Sequence, residues 1–423
     1  MLGYVLASML GLMAGVWCWW NLSPSWRGPF HRGLEPVEDL SDDEPLPCAA
    51  IICPGRNEAA HLHKTLPELA EQDYPHLQVV FVDDDSTDHT PTITADCAQR
   101  YPHLIVVRND QEPPDGWVGK CWAVDRGYAA LSEHEAREAA DRGGHAPPAP
   151  PAPTDRATFV CFTDADIHWH PRCLRSAVRF ALAHDTDVVA LFPRLEFGST
   201  SERLVQSVLF LGLFVLFPLD KAVDPAYPDV ALTGGAFMLV RRELYDRIGG
   251  HESVRACVID DVNLGLNLKR AGGRIQTFLA RDLLRCRMYE GWADMWEGFT
   301  KNVYAGLNYR PDKFIGFFVA TVWLWVLPPF AGLAAAIWAI AGGGAPAWTA
   351  AGLAVVGTLL QVRLMNRMRR WLALRWYYSL SAPIGAAIVL LIAAASVWRY
   401  YSGGNVWKGR RYGREGARAA AGS

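Results

Sequence analysis

Three acidic clusters each follow or open an apolar stretch. Asp83-Asp84-Asp85-Ser86-Thr87-Asp88 closes the run Leu77–Val82. Thr163-Asp164-Ala165-Asp166 follows Phe159–Phe162, and Asp260-Asp261 opens VNLGLNLKRAGG. Alternate residues of an extended segment point the same way, so the carboxylates of Asp164 and Asp166 can face one site. Paired hard oxygens suit Mg²⁺ or Mn²⁺, and such ions often bridge to substrate phosphates. His168 stands two residues further on, as an added ligand or as a structural residue. Three adjacent acids at a strand end repel one another unless some accept hydrogen bonds from a ligand and others cap the next helix. Ser86 or Asp88 would serve as that cap; a solvated turn is the alternative. Asp260-Asp261 reads as the acidic first turn of a helix that stops at Gly272, with a pure capping role as the alternative.

Two further motifs complete the set. Pro54-Gly55-Arg56-Asn57-Glu58 follows the run Ala49–Cys53. In Thr233-Gly234-Gly235-Ala236 the two glycines allow a ligand close to the backbone, or simply make a turn.

The elements that must position these residues are legible in outline. Ala49–Cys53, Leu77–Val82, Leu104–Val107 and Phe159–Phe162 are short apolar runs, and His61–Gln72 has helical spacing through Leu62, Leu66 and Leu69. Strands alternating with helices argue for a parallel α/β sheet. Ligands of such sheets sit outside the carboxyl ends of the strands, where the polar motifs fall. Residues 131–158, which include HAPPAPPAP, read as an exposed loop without a chemical role. Residues 35–44 hold six acids in ten positions and read as a solvated linker.

Apolar segments flank this region. Residues 2–20 carry no charge, have no basic stretch before them and no small-residue cleavage site after them. They read as a retained anchor, since about 20 helical residues span the roughly 30 Å hydrocarbon core. Arg27 and Arg32 favour a cytoplasmic location for the segment beyond the anchor. Further spans are expected at 314–341, broken by Pro328-Pro329, at 346–362 and at 378–398. Between the last two lie Arg363, Arg367, Arg369, Arg370 and Arg375, and the tail after Trp398 is also basic. A single crossing cannot leave both flanks on one side, so the last segment either spans against one signal, re-enters or lies in the interface. The 16-residue run 204–219 is too short to span and reads as a buried or interfacial helix. Tyr289, Trp292, Trp296, Phe299 and Val303 recur at helical spacing, as one aromatic face of an interfacial helix or of a packed one. Seventeen tryptophans, many beside the apolar runs, fit membrane-interface aromatics.

Composition removes other classes. Lys and Arg number 41 against 44 Asp and Glu, so the basic excess of a nucleic-acid binder is missing. The 51% hydrophobic content excludes a mainly disordered chain. Nine scattered cysteines without a C-x-x-C pair are neither a disulfide framework nor a zinc site. A transporter is disfavoured because no clear ionisable residue falls mid-span.

Taken in order, PGRNE, VDDDSTDHT, the DAD triplet, TGGA and DD-x-x-L-x-x-x-LK-x-x-G resemble the membrane-bound family 2 glycosyltransferases of the GT-A fold, over roughly residues 46–310. Gly116-Trp117-Val118-Gly119-Lys120-Cys121-Trp122-Ala123 is similar to the carotenoid and hopanoid-associated branch, with ceramide glucosyltransferases more distant; WEGFTKN at 296–302 also looks like the carotenoid branch. The resemblance implies a Rossmann-like mixed sheet with one N-terminal and about three C-terminal transmembrane helices. It divides the chain into an anchor (1–21), an acidic linker (22–45), the GT-A domain (46–310, with interfacial helices at 204–219 and 289–306), transmembrane helices (311–400) and a basic tail (401–423).

It also implies roles. Pro54, Arg56, Glu58 and Asp84 would line the nucleotide, and Lys120, Gly234, Gly235 and Asp260 the donor. Asp164 and Asp166 would hold Mg²⁺ or Mn²⁺ against the diphosphate. Asp261 would be the general base, and Trp292 and Trp296 would meet the acceptor at the interface. The implied reaction moves a hexose, expected from a UDP-sugar, to a lipid hydroxyl with inversion, on the cytoplasmic side of the cell membrane. A polyprenyl-phosphate or ceramide-type acceptor and a non-catalytic membrane scaffold remain the alternatives. The Q/R-x-x-R-W motif of processive synthases is missing between 262 and 313; Arg367-Met368-Arg369-Arg370-Trp371 matches its letters only at a distant place.

Overall fold

The computed structural model describes residues 2–22, 33–37, 46–142, 156–216, 219–402, 405–407 and 410–412. In chain order the elements begin with helix α1 (Leu2–Leu22), strand β1 (Ala49–Gly55), α2 (Ala59–Ala70), β2 (Leu77–Asp83), α3 (Thr90–Arg100) and β3 (Leu104–Arg108). Next come α4 (Gly119–Arg142), β4 (Phe159–Phe162), β5 (Ile167–Trp169), α5 (Cys173–Ala183), β6 (Val188–Leu195), α6 (Thr200–Leu216) and α7 (Leu219–Val223). Then follow β7 (Met238–Arg241), α8 (Arg242–Arg247), α9 (Asp260–Arg270), β8 (Ile275–Cys286) and α10 (Gly291–Gly306). The last are α11 (Pro311–Thr321), α12 (Leu327–Trp338), α13 (Gly344–Trp371), α14 (Ala382–Ser402), β9 (Asn405–Trp407) and β10 (Arg410–Tyr412).

Two compact units emerge. One comprises Gly28–Leu195 with Leu219–Met288 and is built on a sheet. The other comprises Met1–Arg27, Glu196–Pro218 and Tyr289–Arg414 and is mainly helical. Helices α6 and α10, expected within the 46–310 domain, group with the apolar helices.

The sheet has eight strands in the order β3-β2-β1-β4-β7-β6-β8-β5. Strands β1 to β4 pair in parallel, whereas β7 is antiparallel to β4 and β6, and β5 to β8. The sheet is therefore mixed, as the family resemblance implies, and not parallel throughout. Period-2 side chains explain the two covered faces. Ile51, Cys53, Val79 and Phe81 enter one core with Leu62, Leu66 and Leu69 of α2. Ile52, Val80 and Val82 enter the other with Val124 of α4 and Leu264 and Leu268 of α9.

Helix α4 corrects one expectation: residues 131–142, read as part of a loop, are helical, and 143–155 lie outside the described residues. A buried ion pair fastens it. The Arg242 guanidinium donates to Glu135 at 2.6 and 2.8 Å, to Ser132 and to the Tyr128 hydroxyl, and Glu135 also accepts the Ala157 N–H. Truncating one partner of a buried pair costs about 3–5 kcal/mol, so this fastening holds the helix against β4 and α8.

Among the described residues of the helical unit three helices are long and apolar enough to cross a membrane: Tyr4–Leu22, Pro311–Trp371 and Ala382–Ser402. The second has 61 residues, about 90 Å if straight at 1.5 Å each, three times the hydrocarbon core. It folds back on itself instead. Gly342 and Gly344 take positive φ values of 98° and 66°, a region open to glycine. Beyond them α13 returns along α12, so that a Cβ on Gly332 would sit 3.1 Å from that of Ala354. The segments expected at 314–341 and 346–362 are the two limbs of this hairpin.

The Pro328-Pro329 pair sits where α11 passes through a π-helical stretch (Val322–Val326) into α12. Proline has no N–H, so the carbonyls of Leu324 and Trp325 lose their i+4 donors. Two side chains replace them. The Trp17 indole N–H of α1 donates to Leu324 O at 3.3 Å, and the Gln361 amide of α13 to Trp325 O at 3.0 Å.

Candidate active site

The loops after β1 and β2 lock into each other. Asn57, at φ 54°, and Asp85, at φ 58°, place both turns in the left-handed region. The Asn57 N–H donates to Ser86 Oγ, the Glu58 N–H to Thr90 Oγ1, and the Thr87 N–H to Asn57 Oδ1. Ser86 is thus spent on the other loop, while Asp88, one residue before the N-cap His89, accepts the Thr90 N–H at the start of α3. Arg56 reaches across to Asp84 O at 2.8 Å and to Asp85 at 3.3 Å. Asp84 is buried, its Oδ1 held by the Asn109 amide at 2.8 Å. No motif singles out Asn109. It follows β3 at the same strand end that carries the other motifs, so the strand-end rule would have found it.

Asp164 and Asp166 lie in the turn between β4 and β5 and not on an extended segment, so alternation along a strand does not orient them. Asp164 meets Lys120 on the first turn of α4, Nζ to Oδ1 at 2.5 Å, and Lys120 lies 3.9 Å from Asp260. Asp166 accepts from the Cys286 thiol at 3.6 Å. His168 is turned to Glu68, Nδ1 to Oε2 at 3.0 Å, which is the structural alternative.

The two glycines divide their duties. A Cβ on Gly234 would press on the Phe192 ring, whereas one on Gly235 would stand 2.8 Å from Asp164 Oδ2 and 2.9 Å from Lys120 Nζ. Gly235 therefore opens the backbone to the charged cluster. Its N–H donates to Asp261 Oδ2 at 2.7 Å, and the Val262 N–H donates to Oδ1 at 2.8 Å. Thr233 Oγ1 donates to Asp261 O at 2.7 Å, which ties the TGGA turn to the start of α9. Each oxygen of Asp261 keeps a further lone pair for a substrate proton.

Pro54, Lys120, Gly235, Asp260 and Asp261 line one cleft, together with Thr163 and His251. Burial raises the Asp261 carboxyl to about 6, Asp260 adds to the rise, and Lys120 opposes it. Burial would depress the Lys120 ammonium, but Asp164, Asp260 and Asp261 outweigh it and hold the group well above its ordinary value. His251 is pushed down to about 4 by burial and is neutral at pH 7. Its Nδ1 pairs with the Tyr245 hydroxyl at 2.7 Å. No sequence spacing marks it.

The acids fit a divalent cation only in part. Asp164 is 38% exposed and carries hard oxygens. Among the described residues no three His, Cys, Asp or Glu side chains form a metal-holding group. A cation here would need oxygens from its substrate, as phosphate-bridging ions do. Trp292 and Trp296 lie on α10 in the helical unit, their rings 5.4 Å apart, with Trp292 exposed.

Known proteins resemble the chain in sequence. "Probable glycosyltransferase YdaM" of Bacillus subtilis (strain 168) is 29% identical over 275 residues, 64% of this chain and 58% of that protein. "Beta-monoglucosyldiacylglycerol synthase" of Synechocystis sp. is 41% identical over 77 residues, 18% of this chain and 16% of that protein. The chain thus spans well under two thirds of either relative. "N-acetylglucosaminyl-diphospho-decaprenol L-rhamnosyltransferase" of Mycobacterium tuberculosis is 28% identical over 54% of this chain and 71% of that protein. Among solved structures, the mannosyltransferase PcManGT from Pyrobaculum calidifontis, in complex with GDP-Man and Mn²⁺, superposes with a TM-score of 0.51 at 22% identity. The match covers 93% of this chain and 99% of that one and establishes a shared fold. Residues 47–296, from the start of β1 into α10, match the family described as "Glycosyltransferase like family 2", and the chain belongs to that family.

Proposed function

We propose that the protein transfers a hexose from a nucleoside-diphosphate sugar to the hydroxyl of a membrane lipid, with inversion at the anomeric carbon. The observation that carries this reading is the single cleft in which Asp261, with a carboxyl near neutrality, faces Lys120 and the opened backbone at Gly235. A base must have a pKa near the working pH and a free lone pair, and Asp261 has both.

Asp84 and Arg56 would hold the nucleotide against the interlocked loops, and Lys120 would pair with the diphosphate. Asp164 and Asp166 would hold Mg²⁺ or Mn²⁺, which when bound supplies Lewis-acid stabilisation of the leaving phosphate. Asp261 would take the proton from the attacking hydroxyl. Trp292 and Trp296, at the interface on α10, would receive the apolar acceptor.

Three apolar helices of spanning length support a membrane location. Arg27, Arg32 and Arg363–Arg375 would place the sheet unit on the cytoplasmic side. The names of two relatives, one giving a glucosyldiacylglycerol as product and the other an N-acetylglucosaminyl-diphospho-decaprenol as acceptor, support a lipid or lipid-linked acceptor. Carotenoids and hopanoids remain its expected members from the G-W-x-G-K-x-W-A motif. The decaprenol-linked relative favours a second reading, a sugar hydroxyl on a polyprenyl diphosphate.

The test supplies membranes containing the protein with UDP- and GDP-sugars, Mn²⁺ or Mg²⁺, and carotenoid, hopanoid, diacylglycerol and polyprenyl-linked lipids. Mass spectrometry of the organic phase should show a hexose-sized gain. Nucleotide release without any lipid gain would overturn the acceptor, and no donor turnover would overturn the activity.

A further inference from the structure

We infer that α14 does not cross the bilayer: it enters and leaves on one face, and delivers residues 403–423 to the face from which residue 23 departs. The inference rests on reading α1 and the 311–371 hairpin as spans.

The faces follow from the register of the helices. Helix α1 runs parallel to α13: a Cβ on Gly11 would lie 3.5 Å from Leu353, Met13 approaches Gly357, and Asn21 bonds Leu360 O and accepts from Arg367. Leu22 and Trp371 therefore share a face. Helix α12 runs antiparallel to α13, with Gly332 opposite Ala354 and Trp325 O bonded by Gln361. Pro311 consequently starts on the face where Trp371 ends, and Gly343 marks the opposite face.

Helix α14 starts shortly after Trp371. Between them the turn Trp376–Leu380 lies against α13. Its first turns meet α6, where a Cβ on Gly385 would stand 2.4 Å from Leu204 O; Phe210 of α6 in turn lies 6.1 Å from the Trp371 ring.

The far end of α14 closes the argument. The Tyr400 ring stacks on Tyr309 at 4.8 Å and 22°, and Ser396 Oγ accepts the Tyr304 N–H at 3.1 Å. Tyr304 and Tyr309 shortly precede Pro311, so the end of α14 sits where the hairpin begins. Strand β9 then lies against α10.

Length alone would mislead. With 21 residues, α14 is about 31 Å long, enough to span. A crossing would carry Ser402 roughly 30 Å from the face of Pro311 and break the ring stack. The helix instead exposes Ile384, Leu391 and Trp398, at 60, 61 and 71%, every seventh residue along one side. It buries Ala386, Val389, Ala393 and Ser396 on another. The partner of the exposed side is the boundary between hydrocarbon and headgroups, where Trp and Tyr concentrate. Both basic stretches, Arg363–Arg375 and the tail from Arg399, then face the same anionic surface, which resolves the conflict between the two charge signals.

The experiment places an epitope tag between Gly343 and Gly344 or after Ser423 of the full chain, and follows protease removal in inside-out and right-side-out vesicles. The Ser423 tag should be lost, and the Gly343 tag protected, in inside-out vesicles, with the reverse in right-side-out ones. Loss of both tags from right-side-out vesicles alone would show that α14 crosses and overturn the proposal. Loss of both from inside-out vesicles alone would overturn the spans themselves and the proposal with them. In the chain tagged only at Ser423, an antibody to residues 46–195 reports the reference side, so the answer survives failure of the Gly343 insertion. Glycosyl transfer in the same vesicles is read separately and distinguishes loss of activity from loss of topology.

Discussion

Asp261→Asn removes a proton acceptor while keeping the side chain's shape. Loss of general-base catalysis costs typically about 10²–10⁴-fold in rate. The structure indicates that the variant still folds. In Asp261 two backbone N–H groups donate to the two oxygens. Asparagine keeps one acceptor and turns an NH₂ toward the other donor, which costs about 1–3 kcal/mol.

The opposing effect is electrostatic. A carboxyl raised from 3.8 to about 6 contributes stability below pH 3.8 that is lost as pH rises through 6. Its charge at pH 8 is therefore a cost of up to about 3 kcal/mol, less whatever solvent screens. The neutral amide relieves that cost, so near pH 8 the two effects offset each other. The variant should melt within a few degrees of the parent and bind the nucleotide sugar equally well.

The assay measures initial transfer rates, donor binding and thermal melting in parallel, from pH 5 to pH 8. With a base at about 6, the deprotonated fraction climbs from about one tenth at pH 5 to nine tenths at pH 7. The parent's rate should climb with it, and the variant's residual rate should not. Retention of more than a few per cent of activity, or an unchanged pH profile in the variant, would refute the assignment of Asp261 as the base.

Other outcomes concern the same cleft. Lys120→Met removes the cation beside Asp164 and Asp260. A hydrogen bond to a charged group contributes about 1.5–3 kcal/mol, so donor KM should rise roughly 10- to 150-fold; an unchanged donor KM would exclude contact with the diphosphate. Asp166→Ala should abolish the Mn²⁺ dependence of nucleotide binding, measured by titration with and without chelator, and retained dependence would sink the metal role.

The sequence marks the site better than its geometry. The strand-end position of Asp84 and Asp164 is legible because short β-branched and aromatic runs stop abruptly at acids. The orientation of Asp164 and Asp166 is not, because Ala165 lies in a turn whose form depends on the pairing of β5 with β8, more than 100 residues apart in sequence. The antiparallel strand β7 leaves no signal, since four residues, Met238–Arg241, carry no alternation to read. Residues 131–142 adjoin a proline-rich stretch and read as part of it, yet Glu135 holds them helical through its tertiary pairing with Arg242. His251 has no neighbouring signal; only folding brings it to Asp260. Span lengths are readable by hydropathy, but the fate of α14 depends on the contact between Tyr400 and Tyr309, which no local pattern encodes.

The carbonyls freed by Pro328-Pro329 have a consequence for the N-terminal helix. In hydrocarbon an unbonded carbonyl costs several kcal/mol, and one of the two is relieved by Trp17. Residues 2–22 are therefore not interchangeable with another apolar segment of equal length. A foreign leader would tether the chain to the same bilayer yet leave Leu324 without its donor, so the hairpin would carry a defect in a segment about 300 residues from the exchange. Helix α1 is in this sense a part kept waiting for a segment made about 300 residues after it.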